Sequence, residues 1–516
     1  MSDSPGFLGS HGLQPVPILR AMSTAELAEQ PGPTFFGHPR GLSTLFFTEM
    51  WERFSYYGMR AILILYMTAP LTGANPGLDM EDGVAKAVYG TYVGLVYLMP
   101  VAGGWIADRL IGLRRSVLYG AIVIAAGHYS MAIPFEATFW LGLGLITIGT
   151  GLLKPNISGM VGQLYAEEDT RRDAGFSIFY MGINIGSLMA PLVCGTLGEN
   201  YHWHWGFGAA GVGMTLGLIQ YVLGRKNLRG IGEEPEQEAT PQERSNAIKV
   251  GVIVVGIIAV LIVVLRWLGQ DMVSAVTNSI TIFILLVPIW YFRQILGRPG
   301  HSAQERDHVR AFVWVFLGAA FFWMVFEQAG STLTLFADEV TDLSVGSFEI
   351  PASWLQSINP LFIVILAPIF SAVWLRWGDR APRTAVKFGV ALVIVGFSFL
   401  LLIIPTTAYI DSDGATQAAL WWLITVYLLQ TLGELLLSPN GLSATTKLAP
   451  TGLLGQFLAL WFLATSVGTT VGGQIARVTS DDPVLSFAVC GGMAVAFGVV
   501  MLFMARRISA LMAHVH

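Results

Sequence analysis

From about position 41 the chain alternates between apolar runs of some twenty to thirty residues and short polar loops. Crossing a hydrocarbon core of about 30 Å takes about 20 helical residues. Runs at about 41–70, 84–106, 114–133, 138–160, 173–196, 204–224, 247–267, 274–296, 309–337, 352–376, 384–405, 417–444, 453–478 and 484–508 meet that length, which predicts fourteen transmembrane helices. The loops alternate in charge. One set is basic (Arg109, Arg114 and Arg115; Arg171 and Arg172; Arg225 to Lys249; Arg298 to Arg310; Arg380 to Lys387; Lys447; Arg506 and Arg507), and the other is acidic or neutral (Asp79 to Asp82; Asp338 to Asp342; Asp411 and Asp413; Asp481 and Asp482). Basic loops stay cytoplasmic, so both termini are expected inside, and that requires an even number of spans.

The most polar internal stretch, Gly230 to Ser245, has the Pro, Glu and Gln bias of a solvated linker and follows the sixth span. Ile106-Ala107-Asp108-Arg109 with Arg114 and Arg115 is echoed faintly by Trp377-Gly378-Asp379-Arg380 with Arg383, each in a short turn between a second and a third helix. That echo suits two six-helix bundles working about a site at the membrane midplane. The expected division is a cytoplasmic segment 1–40, a first bundle 41–224, a linker 225–245, an accessory hairpin 246–298, a second bundle 299–508 and a tail 509–516. The hairpin has almost no internal charge, only Arg266 and Asp271 near its ends, and is expected to face lipid.

Composition agrees with this architecture. The 516 residues are 54% hydrophobic and 12% charged, with a mean hydropathy of +0.61, where soluble chains carry about a quarter charged residues. A net charge of −5 offers nothing to nucleic acid. Cys194 and Cys490 lie far apart in apolar segments and read as core filler. Residues 1–40 lack a basic then apolar signal-peptide pattern, so the first span serves as the insertion signal.

The first span carries the chemistry. Glu49, Glu52, Arg53 and Arg60 interrupt an otherwise apolar run, and with Tyr56 they fall on one stripe of a helix turning about 100° per residue. Lys154, Glu327 and Glu434 interrupt three other spans. An unpaired charge at mid-membrane costs about 2.5–3.5 kcal/mol, so seven left alone would cost on the order of 20 kcal/mol. A shared polar interior follows, and groups of this kind mark a path for ions or solute. The first half holds three bases and two acids, a formal +1, and the second half holds Glu327 and Glu434, a formal −2. A cleft between the halves would have a positive and a negative wall, suited to a zwitterion held by charge-assisted bonds. One acid exceeds the bases and is free to carry a proton. The competing reading is a static set of salt bridges that specifies packing.

Tyr56, Tyr57, Tyr97, Tyr180, Asn184, Trp323, Gln328, Asn359, Ser438 and Trp461 sit within spans and suit a lined cavity, although each aromatic alone is as well explained by packing. Pro155, Gly330 and Pro439-Asn440-Gly441 follow three of the charges as candidate kinks. No histidine pair within a span has metal-ligand spacing, His202 and His204 lying at a loop edge, and Gly149-x-Gly151 before Lys154 lacks the P-loop spacing. No metal or cofactor is expected, nor an enzyme.

Glu49-x-x-Glu52-Arg53-Phe54-Ser55-Tyr56-Tyr57-Gly58-Met59-Arg60 resembles the first-helix signature of the proton-dependent oligopeptide transporters, a branch of the major facilitator superfamily. Gly149-Thr150-Gly151-Leu152-Leu153-Lys154-Pro155-Asn156 and the stretch from Phe176 to Ser187 resemble its other signatures, and the likeness runs from about Phe36 to the last span. The resemblance implies an all-α major facilitator fold, two six-helix bundles plus the hairpin. It implies proton-coupled import of di- and tripeptides by alternating access, in a multi-pass inner (cytoplasmic) membrane protein acting as a monomer. Arg60 and Lys154 would receive the peptide carboxylate with Tyr56, Tyr57 and Tyr97 nearby. Asn184, Asn359 and Glu434 would hold the amino end, with Tyr180, Gln328 and Ser438 also lining the site, and Trp323 and Trp461 would border side-chain pockets. Glu49, Glu52, Arg53 and Glu327 would couple proton movement to gating. Animal carriers of this family have a histidine where this chain has Gly90, so coupling here would rest on carboxylates. The alternatives are carriage of another small solute such as nitrate, which makes poor use of Glu434, and a peptide sensor that does not transport.

Overall fold

The computed structural model describes residues 34–166, 168–297 and 302–512. Most of the expected segment 1–40, the hairpin end at 298 and the last four residues of the tail lie outside the described residues.

Among the described residues, twelve helices are long and apolar enough to cross a membrane. They are α2 (Asp82–Ile111), α4 (Glu136–Gln163), α5 (Arg172–Asn200), α6 (Trp203–Leu228), α7 (Pro241–Trp267), α8 (Met272–Leu296), α9 (Ala303–Val340), α10 (Ala352–Trp377), α11 (Thr384–Asp411), α12 (Trp421–Leu448), α13 (Leu454–Val478) and α14 (Pro483–Leu511). Two more complete the set. The first, α1 (Gly41–Thr68), carries the four interrupting charges; the other, α3 (Leu113–Met131), has 19 residues, roughly 28 Å at 1.5 Å per residue. With fourteen helices the start of α1 and the end of α14 share one face, called here the terminal face; its opposite is the far face.

Helices α1 to α6 pack as one bundle and α9 to α14 as another, and they meet chiefly along α2 against α13 and α5 against α10. Glycine makes the first seam possible. An ideal Cβ on Gly90 would lie 2.8 Å from the carbonyl oxygen of Thr469 and 2.9 Å from Cα of Gly473, the close backbone approach that small residues permit between membrane helices. A histidine at position 90 has no room there. A little further on, Ser466 Oγ donates to Gly94 O at 2.7 Å.

Of the three candidate kinks, the helix persists through Pro155 and through Pro439-Asn440-Gly441. Only α9 departs from α geometry at its candidate, tightening to a 3₁₀ turn at Glu327–Gly330.

The hairpin differs from the expectation that it faces lipid throughout. No residue of α7 is buried, as a lipid-facing helix requires. In α8, however, Ser274, Thr277, Thr281 and Ile284 are buried. Arg477 of α13 donates to Ser274 Oγ at 2.7 Å and to Asn278 Oδ1 at 3.3 Å, and Gln474 donates to Thr281 Oγ1 at 3.0 Å. Hydrogen bonds between polar side chains hold α8 because the lipid offers those groups no partner. The linker is also more than a solvated tether: Arg114 N–H donates to Gly232 O at 2.8 Å, Ala239 N–H donates to Arg109 O at 2.9 Å, and Arg114 pairs with Glu233. It docks on the turn between α2 and α3.

Both cysteines are buried and free.

Candidate functional site

Helix α1 turns its charged stripe inward. Glu49, Glu52, Arg53, Tyr56 and Arg60 are all buried, Glu52 to 0% and Arg60 to 5% exposure. Arg53 Nε lies 2.7 Å from Glu49 Oε1 and 3.0 Å from Glu52 Oε2. The first contact is the pairing that an offset of four residues on a helix favours; the second joins sequence neighbours, with Arg53 Nε lying between the two acids. Three carboxylate oxygens of the pair of acids accept no hydrogen bond: Glu49 Oε2 and both oxygens of Glu52. Lys154, from α4, is close enough for its charge to act on Glu52, and its Nζ sits 3.9 Å from the centre of the Tyr97 ring, a cation–π contact.

Tyr97 continues the path. Its hydroxyl donates to Glu327 Oε1 at 3.3 Å, and Glu327 Oε2 lies 2.9 Å from Arg60 Nη1. The last contact joins the two bundles. It is an ion pair without a completed hydrogen bond at Glu327 Oε2, and Arg60 Nε, which takes no part in the contact, is also unpartnered. The guanidinium also lies 5.5 Å from the ring centre of Tyr57 and 5.9 Å from that of Tyr89.

This pairing corrects the picture of a purely positive wall facing a purely negative one. Glu327 does not stand across a gap from Arg60 but is bound to it. Of the two acids that interrupt apolar spans of the second bundle, Glu434 is the one without a cation; its Oε2 accepts from Asn359 Nδ2 at 3.1 Å, and the same amide nitrogen reaches Thr431 Oγ1 at 3.0 Å. Ser438 follows one turn after Glu434, on the same helix face, and its buried hydroxyl has no partner.

Tyr180 and Asn184 of α5 are one turn apart; the Asn184 amide donates to Tyr180 O at 2.9 Å. Tyr180 is 47% exposed, on the helix that packs against α10 of the other bundle. Tyr56 is buried edge-on against Tyr57, with ring centres 5.3 Å apart, and its hydroxyl is unpartnered. Trp323 packs on Phe322 and Phe326 with Nε1 unpartnered. Trp461 is buried against Gly441 of α12, where any side chain would overlap its ring.

Gln328 is not brought to the seam between the bundles. Its Nε2 donates to Met324 O at 2.9 Å and approaches Cys490 Sγ at 3.3 Å, while its Oε1 accepts from Thr332 at 2.7 Å. All three partners belong to the second bundle. In the 3₁₀ turn successive side chains diverge by about 120°, so Glu327 faces the seam and Gln328 faces α13 and α14.

Two participants, Tyr89 and Thr431, escaped the sequence reading, and a third, Gly330, was read there only as a candidate kink. Tyr89 stands beside Arg60 with an unpartnered hydroxyl. Gly330 leaves room for that hydroxyl and for Arg60 Nε, which would be 3.0 Å from a Cβ there. Thr431 shares the Asn359 amide with Glu434. The available signals were weak: Tyr89 is two turns from Tyr97, and Thr431 is three residues before Glu434, spacings that packing explains equally well.

Buried polar atoms normally find protein partners. Some of the exceptions lie elsewhere, as at His128 and Arg114, but those on Glu49, Glu52, Tyr56, Arg60, Tyr89, Trp323, Glu327 and Ser438 come from both bundles and are groups a polar solute can use. Comparison with known proteins then decides the family, because the family model described as POT family matches residues 114–496. The chain belongs to the POT family. Within it, the chain is 40% identical over 491 residues to a di-/tripeptide transporter of Lactococcus lactis subsp. cremoris, covering 93% of this chain and 98% of that one. It is 43% identical over 476 residues to an uncharacterized transporter of Bacillus subtilis, covering 92% and 95%. A crystal structure of a peptide transporter POT in complex with sulfate superposes with a TM-score of 0.89 at 42% identity, covering 95% of this chain and 99% of that chain. A POT family transporter in complex with 5-aminolevulinic acid gives a TM-score of 0.86 at 36% identity, covering 93% and 98%. The fourteen helices are thus a major facilitator fold with the added hairpin.

Proposed function

We propose that this POT family protein is a secondary transporter that imports di- and tripeptides with protons by alternating access, with its terminal face in the cytoplasm of the cell that bears it. The observation that carries the reading is the Arg60–Glu327 pair, which joins the two bundles, together with a carboxylate of the second bundle, Glu434, that is held by an amide and no cation. A peptide bound between the bundles presents its carboxylate to Arg60 and its ammonium to Glu434, each by a charge-assisted bond. To reach Arg60, the carboxylate displaces Glu327. A proton on Glu327 breaks the same ion pair, so proton and peptide act on one contact and favour each other's binding, as linkage demands. Lys154 and Tyr97 stand between that pair and the Glu49–Arg53–Glu52 group, which gives a proton a set of carboxylates towards the terminal face.

In this reading Tyr56, Tyr57, Tyr180, Asn184, Asn359 and Ser438 surround the peptide backbone, and Trp323 and Trp461 border its side chains. No cofactor takes part; the proton gradient drives uptake. The 5-aminolevulinic acid complex of the related transporter agrees in kind, since that ligand pairs an amine with a carboxylic acid.

The test is uptake of labelled dialanine by purified protein in vesicles. An inward acid gradient should raise accumulation well above the level reached without it. Equal accumulation in both cases would rule out proton drive, and no uptake in either would rule out peptide carriage.

A further inference from the structure

On the far face the bundles are joined by contacts that involve none of the charges above. Glu199, in the last turn of α5, extends its carboxylate across the seam to the start of α10. There it accepts from Ala352 N–H at 2.8 Å, from Ser353 N–H at 3.1 Å and from the Ser353 hydroxyl. Beside it Trp354 Nε1 donates to Thr196 Oγ1 at 3.0 Å, and Ser357 Oγ donates to Leu188 O at 2.9 Å. Gly195 makes the approach possible, because a side chain there would overlap Ser353.

The first amides of a helical segment have no partner within it, and a nearby side chain usually supplies one. Here Pro351 precedes the turn and offers no side-chain cap. The cap is supplied instead by the other bundle. That makes the bond conditional on the relative position of the bundles: it forms when the far face is closed and cannot survive a separation of α5 from α10. On opening, water replaces the protein donors, so the net difference is modest, as a reversible contact requires.

We infer that Glu199 is the latch of the far-face gate, the residue whose hold on Ala352 and Ser353 biases the carrier towards its closed far face. This goes beyond the proposed function and rests on its alternating-access part. Glu199 is a positioning residue: it touches neither the peptide nor the coupling carboxylates.

The test places spin labels at Tyr201 and Phe348, which are exposed on opposite sides of the seam; the two native cysteines are buried and stay unlabelled. In Glu199→Gln, which replaces one of the two acceptor oxygens by an amide N–H2 that meets the backbone donors head-on, the long-distance population should rise about tenfold relative to otherwise native protein. Ser353→Ala, which removes only the hydroxyl donor, should fall between. An unchanged distance distribution in Glu199→Gln would overturn the inference. A second measurement does not depend on that variant: cysteines at Thr196 and Trp354, bridged by a short thiol-reactive cross-linker with a reducible link, should block uptake until a reductant is added. Full uptake by the cross-linked protein would equally overturn it. Wild-type protein inert towards dialanine would count against peptide carriage instead, with the label distances still deciding the latch.

Discussion

Two buried ion-pair groups occupy this interior, and they are built differently. Glu49, Glu52 and Arg53 belong to one helix, and their contacts of 2.7 and 3.0 Å depend only on helical spacing. They persist whichever way the bundles tilt. Arg60 and Glu327 belong to different bundles, and their 2.9 Å contact exists only while α1 and α9 stay close. In the proposed cycle the first is a permanent store of charge and the second a contact that is made and broken. A buried pair that merely stabilised the fold would gain nothing from spanning a moving seam, since a well-packed apolar substitute serves as well or better.

That contrast is most easily broken at Arg60. Arg60→Ala leaves Glu327 buried and uncompensated, which costs about 3–5 kcal/mol, so thermal stability should fall sharply and uptake should be lost. Adding Glu327→Ala should restore much of the stability and none of the uptake; equal instability of the single and double variants would show that the pair is not the reason. In the same experiment, binding of a peptide with a free carboxylate should weaken far more in Arg60→Ala than binding of its amide.

Next in size is Glu52→Gln. Accumulation driven by an acid gradient should disappear while exchange of peptide down its gradient remains measurable. Undiminished accumulation would remove this carboxylate from the coupling path. For Glu434→Gln, affinity for a peptide with a free amino end should drop by about tenfold, the gap between an ionic and a neutral hydrogen bond, with N-acetylated peptide nearly unaffected. The smallest effect is expected at Gln328→Ala: the KM for peptide should stay within about twofold, whereas stability should fall by about 1–2 kcal/mol because the Thr332 hydroxyl loses its acceptor. A large rise in KM with unchanged stability would return Gln328 to the peptide.

Much of the fold was legible because the bilayer imposes length and apolarity on every span. The misjudged ends are instructive. Apolarity places the start of the seventh span near 247, yet α7 begins at Pro241, since Thr240 and Glu243 form a capping box that carries the helix out into the polar linker. Ser302 and Glu305 extend α9 in the same way. The twelfth span is read from 417, but Ala418 and Ala419 pair as a short strand with Thr341 and Asp342, and α12 starts at Trp421. The site was legible where neighbours lie within one helical turn, as at Glu49, Glu52 and Arg53. It was not where a partner is remote in sequence, as Glu327 is from Arg60, or where one 3₁₀ turn reorients adjacent residues, as at Glu327 and Gln328.

By itself, the amino-acid sequence determined the number of membrane crossings, their alternating direction and the charges that had to be hidden from lipid, because the membrane penalises each exposed polar group one residue at a time. Only the tertiary structure decided which charges meet, that α8 is bound to α13 by hydrogen bonds, and that Glu199 caps a helix of the other bundle. Those outcomes depend on distances between segments far apart in the chain, and helical periodicity carries no information about them.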